Sequence, residues 1–332
     1  MKTLVLGSTG MVGANVVSQL NEKGESPRLL ARNPEKTRTV LSEQGLDSAG
    51  FEIMTGDITA PESLKVAMEG IELVYHCAGL PEQWFKDPDV FQRVNHQGTR
   101  NVMNAALESG VSRVVYTSTI DVFQGKTGER YDEDILDPAP KGTYYERSKQ
   151  DADVAAVEAL KQGLDVVFTH PAGLYGPGPA GSPGSNNFIA DLINGRVPML
   201  LPGGFPLVFS EDCAWAHIEA ARSAPTGARY ILSDDFYSLK DLALLVQRLV
   251  PDAKIPPTMP LWFAKLFSAA GELKAKITGK APMLPAGQLH FLLWQAIPDA
   301  GRAKRELNWE VTPTLEGLEA TIGHLKKKGL VK

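Results

Sequence analysis

Three side chains in this sequence have the types and spacing for proton transfer: Tyr145, Lys149 and Thr119. Tyr145 and Lys149 stand four residues apart behind a Thr143-x-x-Glu146 capping box. That box predicts a helix running to about Lys161 and ended by Gly163, with both side chains on one face. A phenol near pKa 10 is a poor acid or base at neutral pH unless a cation stabilises its phenolate. A lysine one turn along supplies that field and can also donate to a ribose hydroxyl. Thr119, with Ser118 beside it, closes the apolar run Val111–Thr119 and offers a hydroxyl to hold a substrate oxygen. Tyr-x-x-x-Lys alone is a common helical pair. Its weight comes from a glycine turn and a hydroxyl-bearing strand end standing before it in the right order.

The elements that must position these groups begin at the N-terminus. Thr3–Leu6 (TLVL) predicts a buried parallel strand; Gly7, Gly10 and Gly13 follow, and Met11–Leu20 continues as an apolar helical pattern. A strand, a glycine turn and a helix N-terminus aim free N–H groups and the helix dipole at one spot, as a pyrophosphate requires. The second strand, Pro27–Arg32, ends where a dinucleotide fold meets the adenosine ribose. Ala31 and Arg32 stand there instead of a carboxylate, which suits a 2′-phosphate and hence NADP, with NAD possible. Phe51–Asp57 reads as a third strand with Asp57 at the ligand edge, and Thr59-x-x-Glu62 as a capping box for a helix over Ser63–Met68. Leu73–Gly79 reads as a fourth strand, closing on Cys77, Ala78 and Gly79, small enough to admit a flat cofactor. A helix from Asp87-Pro88 to Gly110 carries Asn95, facing solvent or a neighbouring strand. The polar loop 121–142 is long enough to be functional. Leu80, Trp84 and Asp121 follow strand ends on the ligand side and are candidate substrate contacts. Repeated βα units predict an α/β fold with a doubly wound parallel sheet.

Composition narrows the function classes. The chain has 332 residues, 43% hydrophobic and 22% charged, with net charge −5, so nothing favours nucleic acid as a partner. The triplet Lys326–Lys328 ends a helical pattern, where cations offset the dipole. Two cysteines in apolar contexts, a strand beginning within three residues of the start, and no stretch near the roughly twenty apolar residues of a membrane span predict a cytoplasmic protein. The six histidines show no metal-ligand spacing and Cys-x-x-Cys is absent, so no metal is expected. There are no internal repeats.

Taken together the motifs resemble the extended short-chain dehydrogenase/reductases, also called the NAD-dependent epimerase/dehydratase superfamily. Within it the chain resembles the dihydroflavonol-reductase and 3β-hydroxysteroid-dehydrogenase branch. The resemblance rests on Gly7-x-x-Gly10-x-x-Gly13, Gly56-Asp57, Cys77-Ala78-Gly79, Asn95-x-x-Gly98-Thr99, Thr117-Ser118-Thr119, Tyr145-x-x-x-Lys149 and His170-Pro171-x-x-Leu174-Tyr175-Gly176-Pro177-Gly178. It implies a Rossmann sheet with a smaller, discontinuous C-terminal substrate cap. Residues 1–175 would form the nucleotide domain, joined by segments near 205–215 and 227–250, with 176–204 and 251–332 mainly cap. It implies Tyr145 as acid/base, Lys149 as the group that lowers its pKa and binds the nicotinamide ribose, and Thr119 at the Ser/Thr position. Cofactor contacts would come from Gly7, Ser8, Thr9, Gly10, Met11, Val12, Asp57, Ile58, Cys77, Ala78, Gly79, Pro171 and Leu174. A homodimer through helices near 95–107 and 144–160 is also implied.

Two departures matter. His170 replaces the usual arginine before proline and is expected to be a buried histidine with satisfied hydrogen bonds. Phe205 stands where sugar-nucleotide members carry an arginine for the diphosphate, pointing to a less charged substrate. The expected function is hydride transfer between nicotinamide and a carbonyl or carbinol carbon of such a substrate. The alternatives are a sugar or sugar-nucleotide epimerase or dehydratase that recycles NAD, and a non-catalytic NADP-sensing regulator. Gly181–Asn187 is expected to be a mobile loop, Phe188–Ile193 a short helix, and Leu261–Ile277 a cap helix, a lid or a membrane-surface element.

Overall fold

Short, wholly apolar runs separated by amphipathic ones leave the strands one arrangement, stacked side by side with helices on both faces. The computed structural model describes residues 1–179 and 184–331. Its main sheet has seven strands: β1 (Thr3–Leu6), β2 (Arg28–Ala31), β3 (Ile53–Thr55), β4 (Leu73–His76), β5 (Arg113–Thr117), β6 (Val166–Pro171) and β7 (Arg229–Leu232). They lie in the order β7-β6-β5-β4-β1-β2-β3, every neighbour parallel. The chain winds outward from β1 to β3, then returns to place β4 against the free side of β1. The crevice beyond the C-terminal ends of β1 and β4 is therefore the switch point where such sheets bind ligands.

One sheet face carries Val5, Leu29, Tyr75 and Val115 beneath α1 (Met11–Glu22), and the other carries Leu4, Val74, Val114 and Phe168 beneath α2 (Gly98–Glu108) and α3 (Tyr144–Lys161). Helix α4 (Ser210–Ser223) joins α1 on the first face. A separate apolar cluster around Tyr175, Ile189, Leu207, Leu242 and Leu318 fills a second unit. Its small sheet pairs Gly173–Tyr175 in parallel with Gly204–Phe209, which runs antiparallel to Phe236–Ser238. Beyond it lie α5 (Leu261–Thr278) and α6 (Ala286–Trp294), followed by Ile297–Pro298 paired with Arg130–Tyr131. Among the described residues no helix is long and apolar enough to cross a membrane.

Several local expectations need correction. The helix expected over Ser63–Met68 starts at Pro61, whose fixed φ suits the first helical position, and Ala60 caps it without a side chain. Thr59 donates instead to the Asp57 carboxylate, at 2.8 Å. The helix expected from Asp87 is broken into a turn at Asp89–Phe91, a π-helical stretch Gln92–Gln97 and then α2. The strand expected to reach Gly79 stops at His76, where the backbone leaves the sheet. Of the loop expected at Gly181–Asn187, residues 181–183 lie outside the described residues, while Ser185–Asn187 open a helix that runs to Ile193.

Candidate active site

The glycine turn is shaped by close packing against the exit of β4. Gly7 has φ +86, and a side-chain carbon on it would lie 2.7 Å from Ala78 N and the Cys77 carbonyl carbon. A side chain on Gly13 would overlap the Gly7 carbonyl. Gly10 is different: it is exposed, with only Gly7 O at 3.4 Å, and it caps α1 with no side-chain hydrogen bond. The open face at Gly10, beside a Gly7 packed on Cys77 and Ala78, is a cradle that a pyrophosphate fits and a side chain would fill. Ser8 turns inward, its hydroxyl buried without a partner, and Met11 and Val12 are buried as well. What these residues offer a ligand is main chain. Thr9 is half-buried at the same turn. At the end of β2, exposed Arg32 reaches to within 3.9 Å of the Asp57 carboxylate, which also accepts from the Thr59 N–H at 2.8 Å. Ile58 is buried against Gly98.

The capping box forms as expected. Glu146 N–H donates to Thr143 Oγ1 and Thr143 N–H to Glu146 Oε2, both at 3.1 Å, fixing the start of α3. Tyr145 thus sits in the first turn, its half-buried ring edge-on to Phe91 at 6.4 Å. Lys149, one turn on, is buried and donates to the Thr117 carbonyl at 2.9 Å and to the Tyr116 hydroxyl at 3.4 Å. Burial lowers its pKa to about 8, against the pull of Asp153 and Asp121. Burial raises the Tyr145 phenol above its ordinary value and Asp121 adds to this, while the Thr119 hydroxyl facing it acts in the opposite direction. The Lys149 ammonium is directed at the end of β5.

Thr119 ends β5's extension and caps the turn Ile120–Val122. Its hydroxyl donates to Asp121 Oδ2 at 3.0 Å, while Oδ1 is buried without a partner. Burial, with the Glu146 carboxylate second, pushes Asp121 up to about 7. Asp121 therefore touches the group that would hold the substrate oxygen, a contact that its spacing from Thr119 did not reveal. Leu80 is clasped by Asn95, which accepts its N–H at 2.7 Å and donates to its carbonyl at 3.2 Å and to Ser148 Oγ at 3.0 Å. The π-helical turn points Asn95 inward, tying the β4 exit to α3. Trp84 is half-buried on the same connection.

Behind Thr119 lies a polar network that the sequence reading missed. Arg229 on β7 pairs with Asp153 through two bonds of 3.0 and 2.7 Å, and Ser118 donates to Asp153 at 3.0 Å. Arg229 also donates to His170 Nε2 at 3.2 Å, so the ring proton is on Nδ1 and bonds the Thr119 carbonyl at 3.1 Å. Burial, with Arg229 adding to it, holds His170 neutral with a pKa of about 3. The expectation of a buried, satisfied histidine holds. The i, i+4, i+8 spacing of Tyr145, Lys149 and Asp153 was the available signal. Pro171 ends β6 and half-buried Leu174 lies in the small sheet, whose Phe205 ring packs over Gly173 and 5.9 Å from Phe291.

A family model for the NAD dependent epimerase/dehydratase family matches residues 3–232. The chain belongs to that family. As a family member it is an NAD(P)-dependent oxidoreductase, with the sheet and switch point this activity requires. It is 28% identical over 99% of its length to 95% of a Synechocystis protein with a provisional dihydroflavonol 4-reductase name. It is 27% identical, over the whole of both chains, to the sterol demethylase protein B of Methylococcus capsulatus. The crystal structure of gox2253 superposes with a TM-score of 0.84 at 26% identity, covering 100% of this family member and 99% of that chain.

Proposed function

We propose that the protein is an NADP-preferring reductase or dehydrogenase acting on a carbonyl or carbinol carbon of a weakly charged, apolar substrate. The observation that carries the reading is the Thr119 hydroxyl facing the Tyr145 phenol, with Lys149 buried one turn along α3. The bound nicotinamide supplies or takes up the hydride. Main-chain groups of Gly7–Val12 hold the pyrophosphate, Arg32 the 2′-phosphate, and Asp57 and Ile58 border the adenine. Cys77–Gly79, Pro171 and Leu174 line the nicotinamide half, and Lys149 donates to its ribose. In reduction Tyr145 gives its phenolic proton to the substrate oxygen, which Thr119 positions; in oxidation it takes the proton back. Leu80, Trp84 and Asp121 lie on the substrate side, and residues 176–204 and 251–332 mainly form the cap.

An apolar substrate is supported by the aromatic packing around the site. Phe85 stacks edge-on to Phe91, which lies beside Tyr145, and Phe205, over Gly173, packs near Phe291. Phe205 carries no charge to bind a diphosphate bidentately. The Methylococcus relative carries a sterol name, so sterol-like ring ketones are the first compounds to assay. The working form is a cytoplasmic homodimer paired through α2 and α3, where Val154 is exposed on the outer surface of α3.

Cofactor consumption is measured with ring ketones and, separately, with UDP-glucose. NADPH oxidation matched to ketone reduction is expected. Tyr145→Phe is expected to lower kcat by roughly a hundredfold or more, with the cofactor dissociation constant little changed. Sugar-nucleotide interconversion without net cofactor turnover would put an epimerase in place of this reading. Full turnover in Tyr145→Phe would remove Tyr145 as the proton donor, and cofactor binding by the parent protein with no turnover of any substrate would put a cofactor-sensing protein there.

A further inference from the structure

Helix α5 packs onto the protein with its small side chains and turns its large ones outward. Ala264, Ser268 and Ala275 are its buried residues, whereas Trp262, Leu266, Leu273 and Ile277 are 70, 60, 63 and 81% exposed. These four positions fall within an arc of roughly sixty degrees on the helix. Phe263 and Phe267 widen the arc on one side, and Met283, just beyond the helix, is 85% exposed. An exposed, contiguous apolar arc of this size marks a contact with something else.

Charge selects the partner. Lys265 and Lys276 border one edge of the arc and Lys274 the other, with Lys280 after the C-cap glycine, all exposed. The single acid of the helix, Glu272, bends away to accept the Ala286 N–H at 3.0 Å. A cationic strip thus sits on a chain whose net charge is −5. A second copy of this face would bring lysines against lysines. Large apolar groups including a tryptophan, flanked by lysines, instead match a helix lying in the headgroup plane of an anionic bilayer. We propose that α5 docks the protein onto an anionic lipid surface, with Trp262, Leu266, Leu273 and Ile277 inserted and the lysines at the lipid phosphates. Docking places the site beside the lipid, because α6, packed on α5, reaches α3 through His290, 3.6 Å from the Glu146 carboxylate. The inference concerns location and does not depend on which carbonyl compound is turned over.

Flotation of the full chain with vesicles tests it. Vesicles of phosphatidylcholine mixed with phosphatidylglycerol are expected to bind the protein about tenfold more than phosphatidylcholine alone, and less as salt is raised. Trp262 emission, taken as the difference from Trp262→Phe, is expected to shift to the blue on binding. Leu266→Ser with Ile277→Ser is expected to weaken binding by about tenfold or more without lowering Tm, since both side chains are exposed. Lys265→Glu with Lys276→Glu is expected to abolish the preference for phosphatidylglycerol. Binding that ignores these substitutions, or none to either vesicle, overturns the proposal. So does a self-associating protein that Leu266→Ser with Ile277→Ser disperses, since the arc would then cover a second copy.

Discussion

Asp121 holds the hydroxyl hydrogen that a substrate oxygen would need. While its carboxylate is ionised, Thr119 donates to it at 3.0 Å; once protonated, it can donate to Thr119 and release that hydrogen toward the substrate. Glu146, Lys141, Lys149, Tyr145 and Tyr131 are the charged or titratable groups coupled to it, and its pKa of about 7 puts the exchange near neutrality. Ketone reduction, measured as kcat/KM, is therefore expected to fall as pH rises through about 7. Asp121→Asn, whose amide donates at every pH, is expected to lose that limb. Stability should follow the same group. A carboxyl raised from 3.8 to about 7 stabilises the fold below the lower value, and that contribution is lost as pH rises through the upper one. Asp121→Asn is thus expected to raise Tm relative to the parent more at pH 8 than at pH 5, and not below pH 3.8, as calorimetry can show. Tyr145, Lys149 and Thr119 stood out as candidates from residue type, spacing and their order after the glycine turn. Asp121 was legible only as a residue near the ligand, because a side chain two positions past a threonine can fold back on it or point away, and the sequence does not say which.

Among elements, helix α3 is fastened to the sheet by charge as well as by packing. Asp153 on α3 and Arg229 on β7 form a buried bidentate pair that also orders His170 and, through it, the Thr119 carbonyl. Breaking such a pair leaves one charge buried alone, so Arg229→Ala is expected to destabilise by about 3 kcal/mol. Denaturant titration measures that loss; Arg229→Lys should recover only part of it, since an ammonium cannot reproduce the guanidinium fork. The strands were legible because both sheet faces are covered, which makes each an unbroken apolar run such as TLVL at Thr3–Leu6. The π-helical turn at Gln92–Gln97 was not, because its residues also fit an ordinary helical period; only the packing of Asn95 on Leu80 and Ser148 distinguishes them. Pro61 misled in a simpler way: it stands within a sequence that looks like a capping box but itself occupies the first helical position.

For the whole molecule, ligand binding and stability are linked. A cofactor held a hundredfold above its dissociation constant stabilises by about 2.7 kcal/mol. Thermal unfolding is expected to shift further with NADP⁺ than with equal NAD⁺, and Arg32→Ala to erase the difference; equal shifts in the parent protein count against the 2′-phosphate contact. The parallel sheet and its switch point were legible from repeated βα units. The second apolar unit was harder to place, because its elements come from separated segments whose patterns do not say which neighbour they pack on. The loop after Thr119 depends on the end of the chain in the same way: Trp294 donates to the Gly125 carbonyl at 2.9 Å, and Arg130–Tyr131 finds its strand partner only in Ile297–Pro298. On the ribosome this order becomes a schedule. The seven-stranded body has all its strands once Leu232 has emerged, whereas the loop beside Thr119 must wait for Pro298. A nascent chain passes through an interval in which every strand of the main sheet is present and this loop still lacks its partners.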